Sequence, residues 1–507
     1  MDPGLNMDEE ALQTFDAGIV IRGEWIDDHR IPFGGRGAGI RFTSPDPMRY
    51  LQRLPLSNPR AMSDLHTLSF ADIADYIDRL GRRLTLADNV HLQQALTASC
   101  LTSSLTPSLL RRGYESLPHL FSRTNAVEIA ESTIGIAHLE GWVERRMNDG
   151  RTVSIRAFGS RTLHIVAGNS PLISALSILR NAITRSDALI KTPSNDPFTA
   201  LAIARTMLEM EPGHPLTRHL SVAYWKGGDE AFEQKLYRPQ NFEKIVAWGG
   251  FASVRHVTKY IQPGLELISL DPKRSVSIIG PEAFASDPEM RNVALRLAAD
   301  IGGMNQEGCV NARVVYVLCG SDAESLARLD RLGQYTYEAM LALPEGVSTA
   351  PKAVNADLCA LVDAARLNDE WYHVIGGMNR EGAIIVSHLS EPVDFAAQLG
   401  KRIANLVPID DVEDVFRVVD AYTQTVGVYP ESLKTRLRDR MALVGAQRFT
   451  SLGYAVLPSL AAPQDAIEST RELCRWIVCE DCDPAVTAPL WTDGTIFKSS
   501  ALETVAT

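Results

Sequence analysis

The stretch Asn305-Gln306-Glu307-Gly308-Cys309-Val310, with the apolar run Arg313-Val314-Val315-Tyr316-Val317 after it, decides how the rest of the chain is interpreted. Upstream, apolar residues recur at four-residue spacing, which predicts a helix, and two glycines follow them. These residues are Val293, Leu297, Ile301, Gly302 and Gly303. The β-branched run after the cysteine is typical of a buried strand. Cys309 is therefore predicted to lie in a loop between a helix and a strand.

A cysteine in such a loop has two interpretations. As a nucleophile it needs a reachable sulfur whose pKa is lowered by nearby dipoles or cations, and a turn before a rigid element is expected to supply them. As a structural residue it simply packs, because free cysteine is among the most buried residue types. The loop by itself leaves both interpretations open.

Composition sets outer limits. A chain of 507 residues is long enough for two or three domains, and 45% hydrophobic with 22% charged residues is ordinary for a soluble globular protein. The net charge of −12 argues against a general nucleic-acid binder and against adhesion to anionic membranes. We expect no signal peptide, because the acidic start lacks an apolar core. We also expect no membrane span. Seven scattered cysteines do not resemble a disulfide framework and favour a reducing cytoplasm.

The composition and hydrophobic pattern change twice within the first 160 residues. Residues 1 to about 60 are rich in Pro, Gly and Arg and are expected to be irregular or weakly strand-forming. From about 66 to 145 the pattern is helical and predicts a layer that covers a later sheet. Two strand-like runs then flank Asn148-Asp149-Gly150, which predicts a projecting hairpin that pairs with another subunit.

From residue 162 strands and helices alternate, as in a parallel sheet with crossover helices. A second unit is expected to begin near Leu270-Asp271-Pro272, and the segment from Thr423 to Trp476 is expected to return to the first unit. The predicted strands are Thr162–Ala167, Ala188–Lys191, Lys244–Trp248, Ser275–Ile279, Arg313–Val317, Ala383–Ser387 and Asn405–Ile409. The tail after Cys482 is expected to form a loosely held arm.

Gly168-Asn169-Ser170-Pro171 follows the first of these strands and leads into a helix. Ligands bind at the carboxyl edge of open α/β sheets, and the Asn169 side-chain amide could stabilise an oxyanion there. A plain helix N-cap or Asx-turn explains the same residues equally well.

Two further strand ends could hold a cofactor. Lys191 could reach a ribose or a phosphate, although most lysines in such places are simply solvated. Gly249-Gly250 would let a backbone approach a cofactor, although a tight turn also needs glycine. Neither the Gly-x-Gly-x-x-Gly fingerprint nor a Walker-type loop occurs in the sequence.

The remaining cysteines and histidines carry weaker signals. Cys479 and Cys482 lack a second ligand pair for zinc and are assigned to structure, and no metal site is predicted. Four other cysteines lie in apolar surroundings and are assigned to the core: Cys100, Cys319, Cys359 and Cys474. Three histidines could each act as a base, with nothing to rank them: His256, His373 and His388.

Together these segments resemble the aldehyde dehydrogenase superfamily over roughly residues 140 to 480. Gly168-Asn169-Ser170-Pro171 is similar to its Pro-Trp-Asn turn, and Ile190-Lys191-Thr192-Pro193-Ser194 to its Lys-Pro-Ser element. Val246-Ala247-Trp248-Gly249-Gly250 is similar to its Phe-Thr-Gly-Ser loop, and Gln306-Glu307-Gly308-Cys309 to the loop of the nucleophile.

Within the superfamily the chain most resembles the acyl-CoA reductases of bacterial luminescence (LuxC-type). The segments that carry this likeness are Val166-Ala167-Gly168-Asn169, Asn305-Gln306-Glu307-Gly308-Cys309, Gln424-Thr425-Val426-Gly427-Val428-Tyr429-Pro430 and Leu473-Cys474-Arg475-Trp476.

The resemblance implies an α/β fold with a Rossmann-type cofactor domain, an α/β catalytic domain and an oligomerisation hairpin. The implied boundaries are 1–140 for the N-terminal segment and helical layer, 141–158 for the hairpin, 159–270 for the nicotinamide cofactor domain, 271–422 for the catalytic domain and 423–507 for the return and C-terminal arm. Cys309 and Asn169 would be catalytic. The implied cofactor-binding residues are Val166, Ala167, Gly168, Lys191, Ser194, Asn195, Trp248, Gly249, Gly250 and Leu270.

Three departures refine the expected chemistry. Ser269 stands where aldehyde dehydrogenases have a glutamate that activates water, so transfer to CoA is favoured over hydrolysis. Ser194 and Asn195 stand where NAD-preferring members have a ribose-binding carboxylate, which permits NADPH. Pro463-Gln464-Asp465-Ala466 stands where luminescence-type reductases have Pro-His-Asp-Gly, which predicts a different substrate.

The sequence therefore predicts an NADPH-dependent reductase that converts an acyl-CoA or acyl-carrier-protein thioester to an aldehyde through a thioester on Cys309. A homodimer or homotetramer is expected, with an acyl-activating enzyme as a further partner. Two alternatives remain open: an NAD(P)-dependent aldehyde dehydrogenase that makes acids, and a non-catalytic acyl-binding or partner protein. The acyl chain and the general acid or base are left open.

Overall fold

The computed structural model describes residues 14–34 and 41–483. The arm predicted after Cys482 lies almost wholly outside the described residues, as does the start of the chain. Among the described residues, no helix combines the length and the apolar character needed to cross a membrane.

Strands and helices are labelled in chain order. The strands are β1 (Thr14–Asp16), β2 (Ile19–Ile21), β3 (Glu24–Ile26), β4 (Arg30–Gly34), β5 (Arg41–Pro45), β6 (Val143–Arg146), β7 (Thr152–Gly159), β8 (Arg161–Ile165), β9 (Asp187–Lys191), β10 (Leu220–Ala223), β11 (Lys244–Trp248), β12 (Glu266–Leu270), β13 (Arg274–Ile279), β14 (Ala312–Leu318), β15 (Tyr372–Gly376), β16 (Ala383–Ser387), β17 (Ile403–Ile409), β18 (Thr423–Tyr429), β19 (Arg448–Ser451) and β20 (Cys474–Asp481). The α-helices are α1 (Phe70–Arg83), α2 (Val90–Thr102), α3 (Pro107–Glu115), α4 (Leu117–Leu120), α5 (Arg123–Thr133), α6 (Ile136–Glu140), α7 (Pro171–Ile183), α8 (Thr199–Met210), α9 (Pro215–Arg218), α10 (Glu230–Leu236), α11 (Phe251–Thr258), α12 (Asp287–Gly302), α13 (Ala323–Leu341), α14 (Ala356–Arg366), α15 (Glu413–Phe416) and α16 (Glu431–Val444).

The first large sheet has seven strands in the order β12-β11-β8-β9-β10-β2-β3. Strands β8 to β12 are parallel, and the β2–β3 hairpin adds an antiparallel edge. The chain runs outward from β8 through β9 to β10 and then crosses to β11 on the other side. This reversal is a topological switch point, and ligands bind in open α/β sheets outside the carboxyl ends of the strands beside such a point.

Helices cover both faces of this sheet. The layer α1–α6 packs with α7 and α8 in one apolar cluster, while α10 and α11 close the opposite face in another. Capping residues close in sequence set where two of these helices begin. Ser69 and Asp72 form a reciprocal capping box at α1, and Ser170 caps α7 with Pro171 in its first turn. Because both faces are covered, β8, β9 and β10 are buried at every residue, polar ones included.

The second large sheet has the order β15-β16-β17-β14-β13-β18-β19, and only β15 is antiparallel to its neighbour. The expected return of residues 423–476 to the first unit is wrong for β18 and β19, because β18 pairs with β13 and β19 with β18. Leu473, near the end of this segment, packs with residues of β11 and β12 in the first sheet. A buried strand with both faces apolar can be added to either parallel sheet, so its sequence does not select one.

The predicted hairpin forms, with β6 antiparallel to β7. Gly150 has φ +87° in its turn, a conformation that favours glycine. A third strand, β20, pairs with β7 over eight residues. The segment 474–481 therefore returns to the hairpin.

The described part of the first 60 residues contains five short strands. The weak strand character expected there is thus present, but the antiparallel contribution of β2 and β3 to the first sheet was not anticipated. A strand of three residues gives too short a pattern for its partner to be inferred.

Candidate active site

The loop that carries Cys309 begins with three consecutive residues in the left-handed region, Met304 (φ 53°), Asn305 (φ 52°) and Gln306 (φ 62°). Each such residue costs on the order of 1–2 kcal/mol, so the surrounding contacts must hold the loop. Asn305 accepts a hydrogen bond from the Thr349 backbone N–H at 2.8 Å and donates to the Thr349 hydroxyl at 3.1 Å. The side chain thus stabilises the conformation that its own backbone adopts.

Gln306 is held in the same way from the second sheet. Its side-chain amide donates to the carbonyls of Ala312 (2.8 Å) and Ile403 (3.0 Å), and its Oε1 accepts the Ile403 N–H at 2.9 Å. Buried at 2% exposure, Gln306 is fully engaged and ties the loop to β14 and β17.

Asn311 closes the loop. Its Oδ1 accepts the Gly308 N–H at 3.0 Å, and its Nδ2 donates to the carbonyls of Asp300 (3.0 Å) and Gly303 (2.9 Å). A Cβ at Gly308 would lie 2.9 Å from Asn311 Oδ1, so a side chain there would push the pair apart. Sequence reasoning missed Asn311, because a polar residue before a strand gives no sign of a partner at the end of the preceding helix.

Cys309 is half-buried, and its backbone carbonyl accepts a hydrogen bond from the Ser275 hydroxyl at 2.6 Å. Burial raises the pKa of the Cys309 thiol, and the negative charge of Asp465 raises it further. A hydrogen bond from Gln424, the positive charge of Arg313 and the residue's own backbone N–H act against these effects. The expected lowering of the thiol pKa is therefore wrong, because burial and a carboxylate outweigh the cation.

Asn169 lies in the turn between β8 and α7, beside the nucleophile loop. Its Nδ2 donates to the carbonyl of Glu307 at 3.2 Å. Its Oδ1 is buried without a hydrogen-bond partner among the described residues. The helix N-cap is Ser170 and not Asn169, so the plain capping interpretation does not account for this side chain.

Asn195 stabilises the turn between β8 and α7 that contains Asn169. It donates to the Gly168 carbonyl at 2.8 Å, and a Cβ at Gly168 would lie 2.1 Å from Asn195 Oδ1. The requirement for glycine at 168 is steric. Asn195 lines the candidate site, but its amide N–H is committed to the protein backbone.

A cavity of about 1110 Å³ opens between the carboxyl ends of strands in the first large sheet and the segments that precede β13, β14 and β17 in the second. It is lined by every residue to which the sequence assigned a catalytic or cofactor role, and so the structure brings these residues together. They are Val166, Ala167, Gly168, Asn169, Lys191, Ser194, Asn195, Trp248, Gly249, Gly250, Leu270 and Cys309.

The cavity wall is strongly cationic although the chain is acidic. Among the described residues that line it, six are cationic: Lys191, Lys226, Lys273, Arg313, Lys352 and Lys401. Asp271 and Glu307 are the carboxylates among them. This balance favours a ligand that carries several negative charges. All but Lys191 were missed, because a single loop lysine gives no sign that it faces a cavity.

Several of these cations are positioned by neighbours. Lys401 forms an ion pair with Glu307, two residues before Cys309. Lys352 donates to the carbonyls of Cys100 (2.7 Å) and Ser103 (2.9 Å) at the mouth. Lys191 is buried and lies 5.6 Å from the ring of Trp225.

The cavity also contains groups that suit a nicotinamide dinucleotide. Trp248 Nε1 is buried without a hydrogen-bond partner among the described residues, and a Cβ at Gly250 would meet nothing within 4 Å. Lys191 and Ser194 lie on the wall that follows β9, and Ser194 carries no negative charge. A phosphorylated dinucleotide needs an N–H donor without a protein partner, a backbone segment with free space beside it and cationic side chains. The cavity offers all three, and so its residues fit such a group.

The cavity wall near Ser269, which stands where aldehyde dehydrogenases have a glutamate, carries another carboxylate. Ser269 does not line the cavity, but Asp271 does, and it accepts a hydrogen bond from the Ser269 hydroxyl. Lys273 Nζ lies 3.7 Å from the Asp271 carboxylate. A carboxylate is thus present two residues beyond the position that lacks one.

The other candidate bases and thiols lie elsewhere. His256 contacts Glu233 at 2.5 Å, and His373 contacts Asp330 at 2.9 Å, as does His388 at 3.4 Å. None of these three histidines lines the cavity. Cys479 and Cys482 are exposed and free; Cys479 pairs with Ser154 in the β20–β7 ladder, and Cys482 contacts Arg151. The described residues contain no cluster suited to a metal ion.

Similar solved structures define the class of fold. The NADP-dependent glyceraldehyde-3-phosphate dehydrogenase of Bacillus halodurans, solved with NADP, superposes with a TM-score of 0.69 over 92% of this chain and 99% of its own, at 11% identity. A variant of the indole-3-acetaldehyde dehydrogenase of P. syringae, solved with NAD⁺, gives a TM-score of 0.69 over 91% and 96%, at 15% identity. The chain therefore has the aldehyde dehydrogenase fold, as predicted.

Sequence comparison gives the family. The model of the family "Acyl-CoA reductase (LuxC)" matches residues 65–476. The long-chain acyl-protein thioester reductase of Photorhabdus laumondii is 28% identical over 366 residues, 71% of each chain. That of Vibrio harveyi is 27% identical over 367 residues, again 71% of each. The chain belongs to the acyl-CoA reductase (LuxC) family and is an enzyme of that class, which confirms the resemblance.

Proposed function

We propose that this enzyme reduces an acyl thioester to an aldehyde with NADPH, through a covalent thioester on Cys309. The observation that carries the proposal is that Cys309, Asn169 and the cofactor-type residues line one cationic cavity. Both CoA and NADPH are polyanions, and the pantetheine arm of a carrier protein also ends in a thioester. The relatives named above are acyl-protein thioester reductases, which supports a thioester donor.

Cys309 attacks the thioester carbonyl, and the donor thiol leaves. The oxyanion that forms needs donors that are already in place. The Asn169 amide is fixed by Glu307, and the Cys309 backbone N–H lies against its own thiol. Ser275 orients that backbone through the Cys309 carbonyl.

NADPH, when bound, would supply the hydride that converts the enzyme thioester to the aldehyde. Lys191, Ser194 and the Trp248-Gly249-Gly250 segment would hold it on the wall formed by the first sheet. Because Ser194 is neutral, nothing at this position repels a 2′-phosphate. Collapse of the reduced adduct releases the aldehyde and returns the Cys309 thiol.

An acid-forming aldehyde dehydrogenase is the second candidate, and Asp271 is the observation that favours it. A carboxylate on the cavity wall could activate water against the thioester. Its contacts with Ser269 and Lys273 act against that role, because they occupy the carboxylate oxygens that would have to accept a proton from water. Product analysis separates the two functions: aldehyde from thioester, or acid from aldehyde.

The test is NADPH consumption with a series of donors, from butyryl- to palmitoyl-CoA, an aromatic acyl-CoA and an acyl carrier protein. Cys309→Ala is expected to lose at least about 10⁴-fold in turnover, because the covalent step disappears. The matched control is Cys359→Ala, a half-buried thiol that does not line this cavity. Near-normal turnover in Cys309→Ala would refute the proposal. NADPH binding without turnover on any donor would indicate an unusual acyl group, and absence of both binding and turnover would indicate a non-catalytic acyl-binding protein.

The proposal implies an upstream partner and a compartment. An acyl-activating enzyme is the class of partner that would supply the thioester. We place the reaction in the cytoplasm, because all seven cysteines lie in the described part of the chain and each is free.

A further inference from the structure

A carboxylate lies behind the nucleophile at the end of a two-step contact. The side chain of Gln424, in β18, hydrogen-bonds the Cys309 thiol, and its Nε2 also donates to Asp465 Oδ1. Gln424 is only 5% exposed, and its Oε1 has no hydrogen-bond partner among the described residues. One buried amide therefore connects the thiol to a carboxylate.

The spacing of this contact is fixed by the backbone beside it. The Ser275 hydroxyl donates to the Cys309 carbonyl at 2.6 Å and accepts the Thr425 N–H at 3.1 Å. The residue next to Gln424 and the backbone of Cys309 are thus clamped to one side chain. The position of Gln424 relative to the sulfur follows from this clamp.

Asp465 is presented by a tight turn. Asp465 (φ 55°) and Ala466 (φ 61°) are both left-handed, and Gln464 and Ile467 exchange backbone hydrogen bonds of 2.9 and 3.0 Å across them. Arg180 donates to Gln464 Oε1 at 3.1 Å and fixes the start of the turn. Non-glycine residues in this conformation persist where the surroundings hold them, and such strain clusters at functional sites.

The charges around the pair define its protonation. Asp465 faces Lys273, Asp271 and Arg180, and burial raises the pKa of its carboxyl. Cys309 faces Asp465 and Arg313, and the pKa of its thiol is raised. Because two negative charges this close repel, the pair holds one: an ionised carboxylate beside a neutral thiol. Moving the proton from sulfur to carboxylate leaves the number of charges in the pocket unchanged.

We propose that Asp465 accepts the proton of the Cys309 thiol during acyl transfer, with Gln424 as the positioning residue between them. The inference deepens the proposed function and rests on it. Gln424 contacts both the thiol and the carboxylate, which places the proton donor and the proton acceptor on either side of one amide group.

The step balances without another reactant. The Cys309 S–H bond breaks as sulfur bonds to the acyl carbon, and the proton passes to the Asp465 carboxylate. The carbon–sulfur bond to the donor breaks, and the donor thiolate takes the proton from Asp465. The products are the enzyme thioester, a free donor thiol and an ionised Asp465.

Asp465→Asn separates this role from a structural one, because two rates should change in opposite directions. Without the neighbouring charge the thiol pKa falls, and iodoacetamide should alkylate Cys309 roughly tenfold faster at neutral pH. Without the proton acceptor, formation of the acyl-enzyme should slow by roughly 10²- to 10⁴-fold and lose its acid limb in the pH profile. Glu468→Gln, an exposed acid in the same segment, is the control of equal charge and should change neither rate.

Three results would overturn the inference. One is acyl transfer at the wild-type rate in Asp465→Asn, and another is a parallel fall of both rates. If Asp465→Asn does not fold, Gln424→Met tests the same contact: acyl transfer should slow about tenfold and the alkylation pKa should rise. Wild-type acyl transfer in Gln424→Met is the third contrary result.

Failure of the proposed function would look different. A wild-type enzyme that never forms an acyl-enzyme overturns both proposals, whereas normal thioester formation with an unaffected Asp465→Asn overturns only this one.

Discussion

Single side chains in the segment 303–311 explain how the strained loop that carries Cys309 is held. Asn305, Gln306 and Asn311 use their amide groups to bond backbone groups and, for Asn305, the Thr349 hydroxyl as well, and so the residues on either side of Cys309 are fixed. The cysteine is left with contacts that affect its charge. The chemistry of the site therefore depends on a few side chains whose replacement has specific consequences.

Asn169→Ala is expected to slow acyl-enzyme formation by roughly 10²- to 10³-fold, because one oxyanion donor is removed. Rapid-quench measurement of the thioester gives the rate, and the melting temperature checks the fold. Ser170→Ala, which removes only the helix cap, is the matched control and should lower stability with little effect on the chemical step. An unchanged rate in Asn169→Ala would exclude it from the oxyanion site.

Ser194→Glu is expected to weaken NADPH binding by roughly tenfold, while NADH binding changes less, because a carboxylate would face the 2′-phosphate. Titration calorimetry with each nucleotide measures the difference, and Ser194→Ala controls for loss of the hydroxyl. Equal weakening of both nucleotides by Ser194→Glu would show that the residue does not lie beside the 2′-phosphate.

The sequence reveals which residues line the cavity better than it reveals how they are held. Asn169 and Lys191 lie at the carboxyl ends of neighbouring parallel strands, which meet at one edge of the sheet, whereas Cys309 lies in the loop before β14. Asn311, Gln424 and Asp465 act through partners that are distant in sequence or placed by an irregular turn. No spacing rule joins such pairs, and they become visible only in three dimensions.

The strands and helices likewise differ in how far the sequence predicts their positions. The crossover units between β8 and β12 follow from their alternating patterns, whereas the place of β18 does not. That strand is buried on both faces and carries Gln424, and its partner β13 precedes it by about 150 residues. Sheet membership is thus decided by packing, and with it the position of Gln424 beside the thiol.

Asp300 connects helix α12 to the loop after β19, because its carboxylate accepts the N–H groups of Gly453 (2.9 Å) and Ala455 (2.8 Å). Burial raises the pKa of Asp300 from 3.8 to about 6. The folded protein thus holds this proton more tightly than the unfolded chain does. The resulting stabilisation is complete below about pH 4 and is lost as the pH rises through about 6.

Asp300→Asn should remove this pH dependence. Between about pH 5 and pH 7.5 the wild-type protein should lose about 1.4 kcal/mol of unfolding free energy on this account, and the variant should not. The amide replaces one acceptor by a donor, so the variant starts less stable. Urea unfolding at both pH values measures the difference between the two proteins. A difference that is equal at both pH values would contradict the assignment.

The turn at Asp465-Ala466 gives a prediction for a loop element. Ala466 has φ 61°, a conformation that glycine adopts more easily. Ala466→Gly is therefore expected to stabilise the protein by about 0.5–1 kcal/mol in urea unfolding. Ala461→Gly, in the same segment but outside the left-handed region, should destabilise it. If both variants lose stability alike, the turn is not strained.

In the whole molecule, the net charge of the chain and the charge of the cavity wall have opposite signs. The chain carries a net charge of −12, yet the cavity between its two large sheets is lined by six cationic side chains. An acidic surface around a cationic cavity concentrates the field where a polyanionic ligand binds. The sequence gives the total charge, and only the fold shows where the cations converge.

The hairpin sheet gives a prediction about assembly. Among the described residues, β20 lies at the edge of this sheet and exposes Ile477 and Val478, the latter at 56%. An exposed edge with apolar side chains is a site for pairing with another copy. We propose a homodimer or homotetramer, and Val478→Lys should shift light-scattering mass toward the monomer, whereas Val444→Lys on α16 should not. A monomeric wild-type protein would contradict this.

The central claim is that Cys309 carries the acyl group, and one measurement tests it most directly. The enzyme is mixed with an acyl donor in the absence of NADPH, and its intact mass and Cys309-containing peptide are determined by mass spectrometry. The account predicts one acyl group per chain on Cys309, which disappears with formation of aldehyde when NADPH is added. Aldehyde formation with the acyl group on another residue, or with no acyl-enzyme at all, would contradict it.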